Sequence, residues 1–394
     1  MQTIAFIVLI LIALPALLAC FYLLVLTCLS ATMPVPRRTN RTVKFDVIVP
    51  AHNESSIIAR TVTSLSKLDW PADRFRMLVV ADNCSDDTAD IARQHGATVL
   101  ERTDTTRRGK GYALQHGFQH SAAAGFADAV VVIDADAEVS TNLLEAFAAR
   151  IEAGAHAVQV HYGILNPWAS WRTRLITIAK AAFHIIRSRA RERLKVSCGI
   201  RGNGWCVTHE LLRTVPYGAF SLTEDVEYGI TLGQAGYRVF YADEAHSDAD
   251  MVSGEQAASK QRQRWEAGRF QLIRDKTLPL LSQAIRQRSA ICLDLALDLM
   301  VLPLSYVVVN IVLLIVAAAA CAWWSPSLTP MLWLGIGCLV ALLIHIMRGW
   351  QLSGMGLQGL LDLARAPGFL IWKVLLMLRR RDSSEWVRTE REKT

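Results

Sequence analysis

The feature that most constrains the fold of this 394-residue chain is the uneven distribution of its apolar residues. They are concentrated at the two ends, in residues 4–29 and again after about Ile291, whereas the middle of the chain mixes charged and apolar residues. Residues 4–29 include no charged side chain, and an apolar run of that length can cross a hydrocarbon layer of about 30 Å as a helix. We therefore expect a soluble domain that is flanked by two membrane-associated ends.

The first apolar run is predicted to be a retained membrane anchor. A cleaved signal peptide would carry a basic region before a shorter apolar run, and no Lys or Arg precedes Ile4. Because positive charge accumulates on the cytoplasmic side of membrane helices, the N-terminus is predicted to lie outside and the middle domain in the cytoplasm. The basic residues that follow the run and support this orientation are Arg37, Arg38, Arg41 and Lys44.

The C-terminal end is predicted to contain about two further membrane helices, in residues 300–322 and 331–346. Residues 352–378 mix apolar and charged side chains, which favours a helix at the membrane interface, followed by a cytoplasmic tail that begins with three arginines at 379–381. The expected division of the chain is an anchor in residues 1–33, a soluble domain in residues 45–280 and a membrane region in residues 285–394.

Charge and cysteine content narrow the class of protein further. The formal net charge of +7 fits attraction to anionic lipid, and the membrane segments make nucleic acid the less favoured partner of this basic chain. The eight cysteines form no C-x-x-C pair, which favours reduced thiols over a disulfide framework or a zinc site. We expect an integral protein of a bacterial-type inner or plasma membrane.

The middle of the chain alternates short β-rich runs with helical runs. This alternation is typical of a doubly wound parallel α/β sheet, in which ligands bind at the carboxyl ends of the strands. Polar clusters fall at three of these ends, in residues 52–54, 82–83 and 134–136. The predicted strands are residues 46–50, 76–80, 97–101 and 129–133. One predicted helix follows the first strand and ends near residue 65, and two others span residues 87–94 and 110–120.

Residues 168–194 mix basic and apolar side chains, and two interpretations of them remain open. The stretch fits an amphipathic helix that lies near the membrane interface. It fits a surface helix of the soluble domain equally well.

Asp134-Ala135-Asp136 follows the most apolar of the predicted strands. Two carboxylates at such a strand end can approach one hard cation, which in turn bridges phosphate oxygens. The competing interpretation is structural, because Asp is common in turns and as a helix cap. Taken alone, the short motif would favour that structural interpretation.

Two further acidic positions are candidates for chemistry. Asp82 ends the second predicted strand and could accept a hydrogen bond from a base or ribose. Glu224 and Asp225 begin a predicted helix, where a carboxylate could take the proton from an attacking hydroxyl. Helix capping by Thr223 and its acidic neighbours is the structural alternative.

Basic and aromatic candidates lie in two other segments. Residues 107–111 place cations beside glycines, which allows close approach of a phosphate, but they lack the spacing of a P-loop. Later in the chain Arg264 could stabilise a departing diphosphate, and Trp265 could present an aromatic face to a sugar ring. An Arg-Trp pair near a membrane is also a common interfacial anchor.

In this order the motifs resemble the membrane-bound, processive-type branch of glycosyltransferase family 2, with its D, D-x-D, [TE]-D and Q-x-x-R-W elements. That branch includes cellulose synthase, hyaluronan synthase and ceramide glucosyltransferase-like enzymes. The similarity spans about residues 46–269, and the ordered set is far more specific than any single motif. The matching residues are Asp82, Asp134, Asp136, Glu224, Asp225, Gln261, Arg264 and Trp265, together with Pro50, Asn53 and Glu54 at the first strand end.

The resemblance implies a Rossmann-like GT-A domain that binds a UDP-sugar. Asp82 would contact the uracil, and Asp134 with Asp136 would hold the diphosphate and a Mg²⁺ or Mn²⁺ ion. The residues implied for donor binding are Asp82, Lys110, Asp134, Asp136, Gln261 and Arg264.

The resemblance also implies the catalytic and acceptor groups. Asp225, beside Glu224, would be the general base, and Trp265 would bind the acceptor sugar. The loop that contains Asn203 and Trp205 resembles the acceptor-side loop of these enzymes, although Trp205 could equally be a core aromatic residue.

The expected function is therefore an inverting hexosyl or N-acetylhexosaminyl transfer from a UDP-sugar, with a β-linkage as product. The acceptor would be a growing polysaccharide or a lipid-linked molecule. Because the chain has fewer C-terminal membrane helices than cellulose or hyaluronan synthases, a single addition to a glycolipid acceptor is the main alternative. Less favoured are a glycosidase, which would not explain the Q-x-x-R-W element, and a non-catalytic membrane module that binds nucleotide sugars.

Overall fold

The computed structural model describes residues 2–251, 255–365 and 368, except for the side chains of residues 255–262 and 264. Its soluble part is one eight-stranded sheet with helices on both faces. The strands are β1 (Phe45–Ala51), β2 (Phe75–Asp82), β3 (Thr98–Arg102), β4 (Ala129–Val132), β5 (Ala137–Val139), β6 (Ala157–Ile164), β7 (Trp205–Thr208) and β8 (Phe240–Ala249).

The helices of the soluble part alternate with the strands along most of the chain. They are α2 (Ile58–Leu65), α3 (Thr88–Gln94), α4 (Lys110–Ala124), α5 (Leu143–Glu152), α6 (Trp171–Lys180), α7 (Arg187–Arg193), α8 (His209–Thr214), α9 (Glu224–Gln234) and α10 (Glu255–Gln287). Short apolar strands between helices explain the doubly wound arrangement, because each strand needs cover on both faces.

The sheet order is β3-β2-β1-β4-β7-β6-β8-β5. The first four strands are parallel, as the sequence predicts. The expectation of a wholly parallel sheet is wrong beyond β4, because β7 runs antiparallel to both β4 and β6, and β5 runs antiparallel to β8. The chain leaves β6 at the carboxyl edge, passes through α6 and α7, and re-enters as β7 running the opposite way.

The strands of the sheet are buried on both faces. Phe45, Val47 and Val49 of β1 pack on one face against α2 and α5. Ile48, the intervening residue, packs on the other face with α4 and α9. This alternation follows from the two-residue period of a strand and explains why β1 is an almost continuous apolar run.

Three helical segments are long and apolar enough to cross a membrane, among the residues that the structure describes. They are α1 (Gln2–Cys28), α12 (Leu304–Trp324) and the segment Pro326–Ser353, which contains α13 (Thr329–Ser353). The last is longer than the predicted span 331–346. All three pack against one another through apolar side chains, while α11 (Ala290–Met300) connects α10 to α12.

Only the first part of the predicted interfacial segment 352–378 falls within the described structure. It contains α14 (Gly356–Leu363). The predicted cytoplasmic tail from residue 379 onward lies outside the described residues.

Residues 168–194 form α6, a six-residue π-helix (Ala181–Ile186) and α7, and they pack against the membrane helices. Arg174 of α6 forms an ion pair of 2.6 Å with Asp362 of α14. At the other end, Arg193 donates hydrogen bonds to the carbonyl oxygens of Leu29 (2.8 Å) and Ala31 (2.6 Å) at the end of α1. The segment therefore joins the soluble domain to the membrane helices and is not a free surface helix.

Candidate functional site

The carboxyl edge of the sheet is organised around the end of β4. Asp134 lies just beyond this strand, and its backbone N–H donates to the Asn203 side-chain oxygen at 3.0 Å. Asn203 is fully buried, and its hydrogen bond holds the Asp134 backbone in place from the interior of the domain. Gly204 has φ +71°, and a Cβ there would lie 2.6 Å from the side chain of Val160. Only glycine allows this turn to sit so close to β6.

Lys110, the first residue of α4, ties three segments of this edge together. Its Nζ lies 2.6 Å from Asp134 Oδ1 and 3.5 Å from Glu224 Oε1. The same amine donates a hydrogen bond of 2.8 Å to the carbonyl oxygen of Gly202. The sequence predicts a phosphate near residues 107–111, and the family resemblance places Lys110 among the donor-binding residues. The structure brings Lys110 into direct contact with two of the acidic motifs.

Glu224 and Asp225 form the first turn of α9, where the positive end of the helix dipole favours acidic side chains. Burial nevertheless raises the pKa of Glu224 to about 7, with Lys110 opposing the shift and Asp225 adding to it. Burial also raises the pKa of Asp225. A carboxylate with a raised pKa at the carboxyl edge of the sheet is suited to accept a proton from a hydroxyl group.

The charge of this edge is unbalanced. Burial alone would lower the pKa of Lys110, but Asp134 and Glu224 outweigh that effect and raise it. The Lys110 ammonium thus interacts electrostatically with the carboxylates of Asp134, Glu224 and Asp225. Such an excess of carboxylates suits a cation together with the phosphates that the cation bridges.

Asp136 lies one residue before β5, and Arg60 donates to its backbone carbonyl at 3.1 Å. Within the described ranges, no group of three or more His, Cys, Asp or Glu side chains could hold a metal ion. Asp134 and Asp136 remain the predicted ligands of Mg²⁺ or Mn²⁺. Magnesium usually takes one or two protein carboxylates and completes its shell with substrate phosphates and water.

Asp82 lies at the carboxyl end of β2 and is 5% exposed. Its Oδ1 forms an ion pair of 2.5 Å with Arg102, which also contacts Asp104 at 3.0 Å. The sequence reasoning missed Arg102. No sequence motif marks Arg102, which ends β3 and is the register partner of Asp82 in the folded sheet.

Lys180, at the end of α6, is a second residue that the motifs did not identify. Its Nζ lies 3.3 Å from the centroid of the Tyr162 ring and donates to the Gly163 carbonyl at 3.2 Å. Burial lowers the pKa of Lys180 to about 7, although Asp248 and Asp136 oppose the shift. It places a further amine close to Asp136 at the edge.

The predicted acceptor residues differ in their placement. Trp205 is 1% exposed, and its ring packs 6.0 Å from Phe118 and 6.2 Å from Tyr228. This burial favours the core alternative for Trp205, and Asn203 likewise lies beneath the edge.

The Q-x-x-R-W element lies on α10. The side chains of Gln261 and Arg264 are outside the described residues. Trp265 is 39% exposed. Three residues further on, a Cβ at Gly268 would lie 2.7 Å from the side chain of Thr223. The helix therefore passes directly over the residue that precedes Glu224.

Comparisons with known proteins identify the class of this domain. The sequence model of the family described as Glycosyltransferase like family 2 matches residues 43–268. A probable glycosyltransferase, YdaM of Bacillus subtilis, is 26% identical over 64% of this chain and 60% of its own length. A beta-monoglucosyldiacylglycerol synthase of Synechocystis is 27% identical over 62% of this chain and 50% of its own length. The chain thus spans between half and two thirds of these relatives.

A solved structure shares the fold across both parts of the molecule. The mannosyltransferase PcManGT of Pyrobaculum calidifontis, in complex with GDP-Man and Mn²⁺, superposes with a TM-score of 0.51 at 19% identity. The match covers 85% of this chain and 99% of that one. At this identity the likeness concerns the GT-A-like fold alone.

Proposed function

This chain belongs to glycosyltransferase-like family 2, and we propose that it transfers a sugar from a UDP-sugar to a hydroxyl group of a membrane lipid or lipid-linked acceptor. The observation that carries the proposal is the contact of Lys110 with Asp134 and Glu224 at the carboxyl edge of the sheet. It joins the predicted diphosphate site to the predicted base at the start of α9.

In the proposed reaction Asp225 removes the proton from the acceptor hydroxyl as its oxygen attacks the anomeric carbon. The bond between that carbon and the diphosphate oxygen breaks on the opposite side, so an α-linked donor gives a β-linked product. Lys110 stabilises the negative charge of the departing diphosphate. A Mg²⁺ or Mn²⁺ ion held by Asp134 and Asp136, when bound, would neutralise the rest of that charge.

Asp82 is proposed to bind the base of the donor through its position at the end of β2. Its carboxylate already contacts Arg102, so the base would share the Asp82 oxygens with this guanidinium. We propose that Gln261 and Arg264 contact the diphosphate and that Trp265 contacts the acceptor, as the family resemblance implies.

The membrane helices support a lipid acceptor. The edge lies beside α6 and α7, which pack on the helices that are long enough to span a membrane. Among the relatives, one group is named for synthesis of beta-monoglucosyldiacylglycerol and another for glycosyl transfer to 4,4'-diaponeurosporenoate. Both names describe lipid acceptors, which favours a single addition over polymer synthesis. We also propose that the soluble domain is cytoplasmic.

The test is incubation of purified membranes with a panel of labelled UDP-sugars and GDP-mannose, with and without a chelator. We expect transfer from one UDP-sugar into a small, organic-soluble product, and loss of transfer on chelation. Asp136→Ala should abolish transfer, whereas Asp73→Ala, at an exposed position before β2 and therefore at the opposite end of that strand from Asp82, should leave it unchanged.

Two results would contradict the proposal. Undiminished transfer by Asp136→Ala would show that this residue does not hold a metal ion needed for the reaction. A product of high molecular mass would show that the acceptor is a growing polysaccharide and not a lipid. Protease digestion of sealed cells tests the orientation, because a soluble domain that is cut from outside cannot be cytoplasmic.

A further inference from the structure

A second group of charged side chains is buried between the soluble domain and the membrane helices. It joins α7, the loop before β7, α10 and α11, and we name it the arginine cluster. Its members are Arg187, Arg191, Arg201, Arg269, Asp294 and Asp298.

The arginine cluster carries more positive than negative charge. Asp298 Oδ1 lies 2.8 Å from both Arg187 and Arg191, and Asp294 lies 3.1 Å from Arg191. Within the described side chains, Arg201 and Arg269 form no ion pair. The cluster therefore contains four guanidinium groups and two carboxylates, and only Arg187 and Arg191 form ion pairs with these carboxylates.

Arg201 and Arg269 are held by backbone carbonyl groups instead. Arg201 donates to the carbonyl oxygens of Cys198 at 2.9 Å and Phe183 at 3.1 Å. Arg269 donates to those of Asp298 at 2.5 Å and Val301 at 2.8 Å. These carbonyl groups orient the two guanidinium groups but supply no formal negative charge.

Several donors of the cluster are buried without a hydrogen-bond acceptor. They belong to three guanidinium groups that converge on the Phe183 ring, whose centroid is 4.6 Å from the Arg187 and Arg201 guanidinium carbons and 5.9 Å from that of Arg269. Arg187 and Arg201 are 3% and 6% exposed. A buried charged donor without an acceptor is strongly unfavourable. The unpartnered donor atoms of these three groups are Arg187 Nε, Arg201 Nη2 and Arg269 Nε. Arg191 Nε and Asp294 Oδ2 also lack a hydrogen bond but face each other in the ion pair of 3.1 Å.

The cluster reaches the membrane through Tyr22 of α1. The Tyr22 hydroxyl donates to Asp294 at 2.9 Å and accepts from Arg191 at 2.7 Å. Tyr22 lies six residues before Cys28, where α1 ends, and this separation corresponds to about 9 Å along a helix. If this 27-residue helix is centred on a hydrocarbon layer of about 30 Å, Tyr22 lies near one end of that layer.

An apolar slot of about 180 Å³ opens beside Tyr22 between α1 and α11. Every other residue of its lining is apolar, so the slot suits a hydrocarbon chain. The lining consists of Leu14, Pro15, Leu18, Ala19, Tyr22, Leu297, Met300 and Val301.

We propose that the arginine cluster binds the phosphate group of an anionic membrane lipid, with one acyl chain of that lipid in the slot between α1 and α11. Forked guanidinium donors match phosphate oxygens, and one phosphate reduces the excess positive charge. The apolar slot favours a lipid over a free phosphate or nucleotide.

This site would connect lipid binding to the carboxyl edge. Arg201 immediately precedes Gly202 and Asn203, which contact Lys110 and Asp134. Anionic lipid would therefore stabilise the loop that supports the donor site. That consequence rests on the proposed function, whereas lipid binding does not.

The test measures lipid retention by the purified full-length chain without donor or acceptor. The protein is exchanged into detergent, mixed with phosphatidylglycerol or phosphatidylcholine, and analysed by native mass spectrometry. We expect about one phosphatidylglycerol per chain and weaker retention of phosphatidylcholine. Arg201→Gln and Arg269→Gln should each weaken phosphatidylglycerol binding on the order of tenfold, because each removes a charged hydrogen-bond donor.

Arg193→Gln is the matched control. Arg193 also lies on α7 and donates to carbonyl groups at the end of α1, but it is outside the cluster. Equal retention by wild type and both cluster variants would overturn the proposal, and so would an equal loss in the control. Displacement of the lipid by equimolar inorganic phosphate or UDP would indicate a free-anion site instead. If Arg201→Gln does not fold, Arg269→Gln and the wild-type lipid preference decide the question.

Discussion

The carboxyl edge of the sheet and the arginine cluster are opposite in charge, although only a few residues of loop separate them. At the edge, Lys110 contacts the carboxylates of Asp134 and Glu224. The arginine cluster contains four guanidinium groups and two carboxylates, and Arg187 and Arg191 form the ion pairs with them. Each imbalance is unfavourable in the protein alone and would be relieved by a ligand of the missing sign. The comparison therefore supports our proposals of a cation with its phosphates at the edge and of an anion at the cluster.

The two regions also differ in what a lost carboxylate should do. At the edge, acidic groups compete for one amine, so removing one relieves repulsion among the rest. In the cluster, Asp298 pairs with two buried guanidinium groups and Asp294 with one, so removing a carboxylate increases the repulsion among the remaining positive charges. Carboxylate-to-amide substitutions, which conserve shape, separate these two cases.

The largest effect is expected for Asp225→Asn at the edge. If Asp225 is the base, the amide cannot accept the proton, and kcat should fall by roughly 10²- to 10⁴-fold. Donor binding should persist, because the proposed donor contacts are made by other residues. The measurements are the turnover rate on membranes and UDP binding by calorimetry. A normal rate would exclude Asp225 as the base, and loss of UDP binding would indicate a structural role.

The next effect concerns the stability of the arginine cluster. Although burial opposes it, Arg191 and Arg187 hold the pKa of Asp298 well below its usual range. Asp298→Asn should therefore destabilise the protein by about 3–5 kcal/mol, the range for breaking a buried ion pair. The measurement is denaturant unfolding in detergent, followed by tryptophan fluorescence.

Asp294→Asn is the internal control for that prediction. Burial raises the pKa of Asp294, with Arg191 opposing the shift, so its ionised form is less strongly favoured than that of Asp298. The substitution Asp294→Asn should consequently reduce the free energy of unfolding less than Asp298→Asn does. A reversed order would show that the hydrogen bond from Tyr22 to Asp294 matters more than the balance of charge.

The sequence could predict the edge far better than the cluster. The strands at residues 46–50 and 76–80 were predicted to within two residues of β1 and β2, because short apolar runs between helices have few alternative structures. Because neighbouring parallel strands end at the same edge of a sheet, the polar residues that follow these strands are expected to lie close together. Asp134 is predicted in this way, whereas Glu224 is predicted from the start of a helix and from the family resemblance. The two residues are 90 positions apart in the chain and contact the same lysine.

The rest depends on packing that no local pattern encodes. β8 (Phe240–Ala249) contains polar residues such as His246 and Asp248 and lacks an apolar run, so the mixed half of the sheet was not predicted. Arg187, Arg201 and Arg269 lie on separate segments with no common spacing. Their meeting around Phe183 is set by how α7 and α10 pack against the membrane helices.

The smallest effect is a change in pH dependence at the edge. The pKa of Glu224 is raised to about 7 from an ordinary value of 4.5 by burial, with Lys110 opposing the shift. The folded protein therefore holds this proton more tightly than the unfolded chain. The associated stability is complete below about pH 4.5 and is lost as the pH rises through about 7.

Glu224→Gln should remove this dependence, since the amide does not titrate. In the presence of a chelator, the apparent unfolding temperature of the wild type should fall between about pH 4.5 and about pH 7, and that of the variant should fall less steeply. Glu227→Gln is the matched control on the same helix, because Glu227 accepts from the Ser221 backbone and forms no ion pair among the described residues. Parallel pH profiles for wild type and Glu224→Gln would mean that Lys110 keeps Glu224 ionised, and the edge would then hold one more negative charge for a cation to offset.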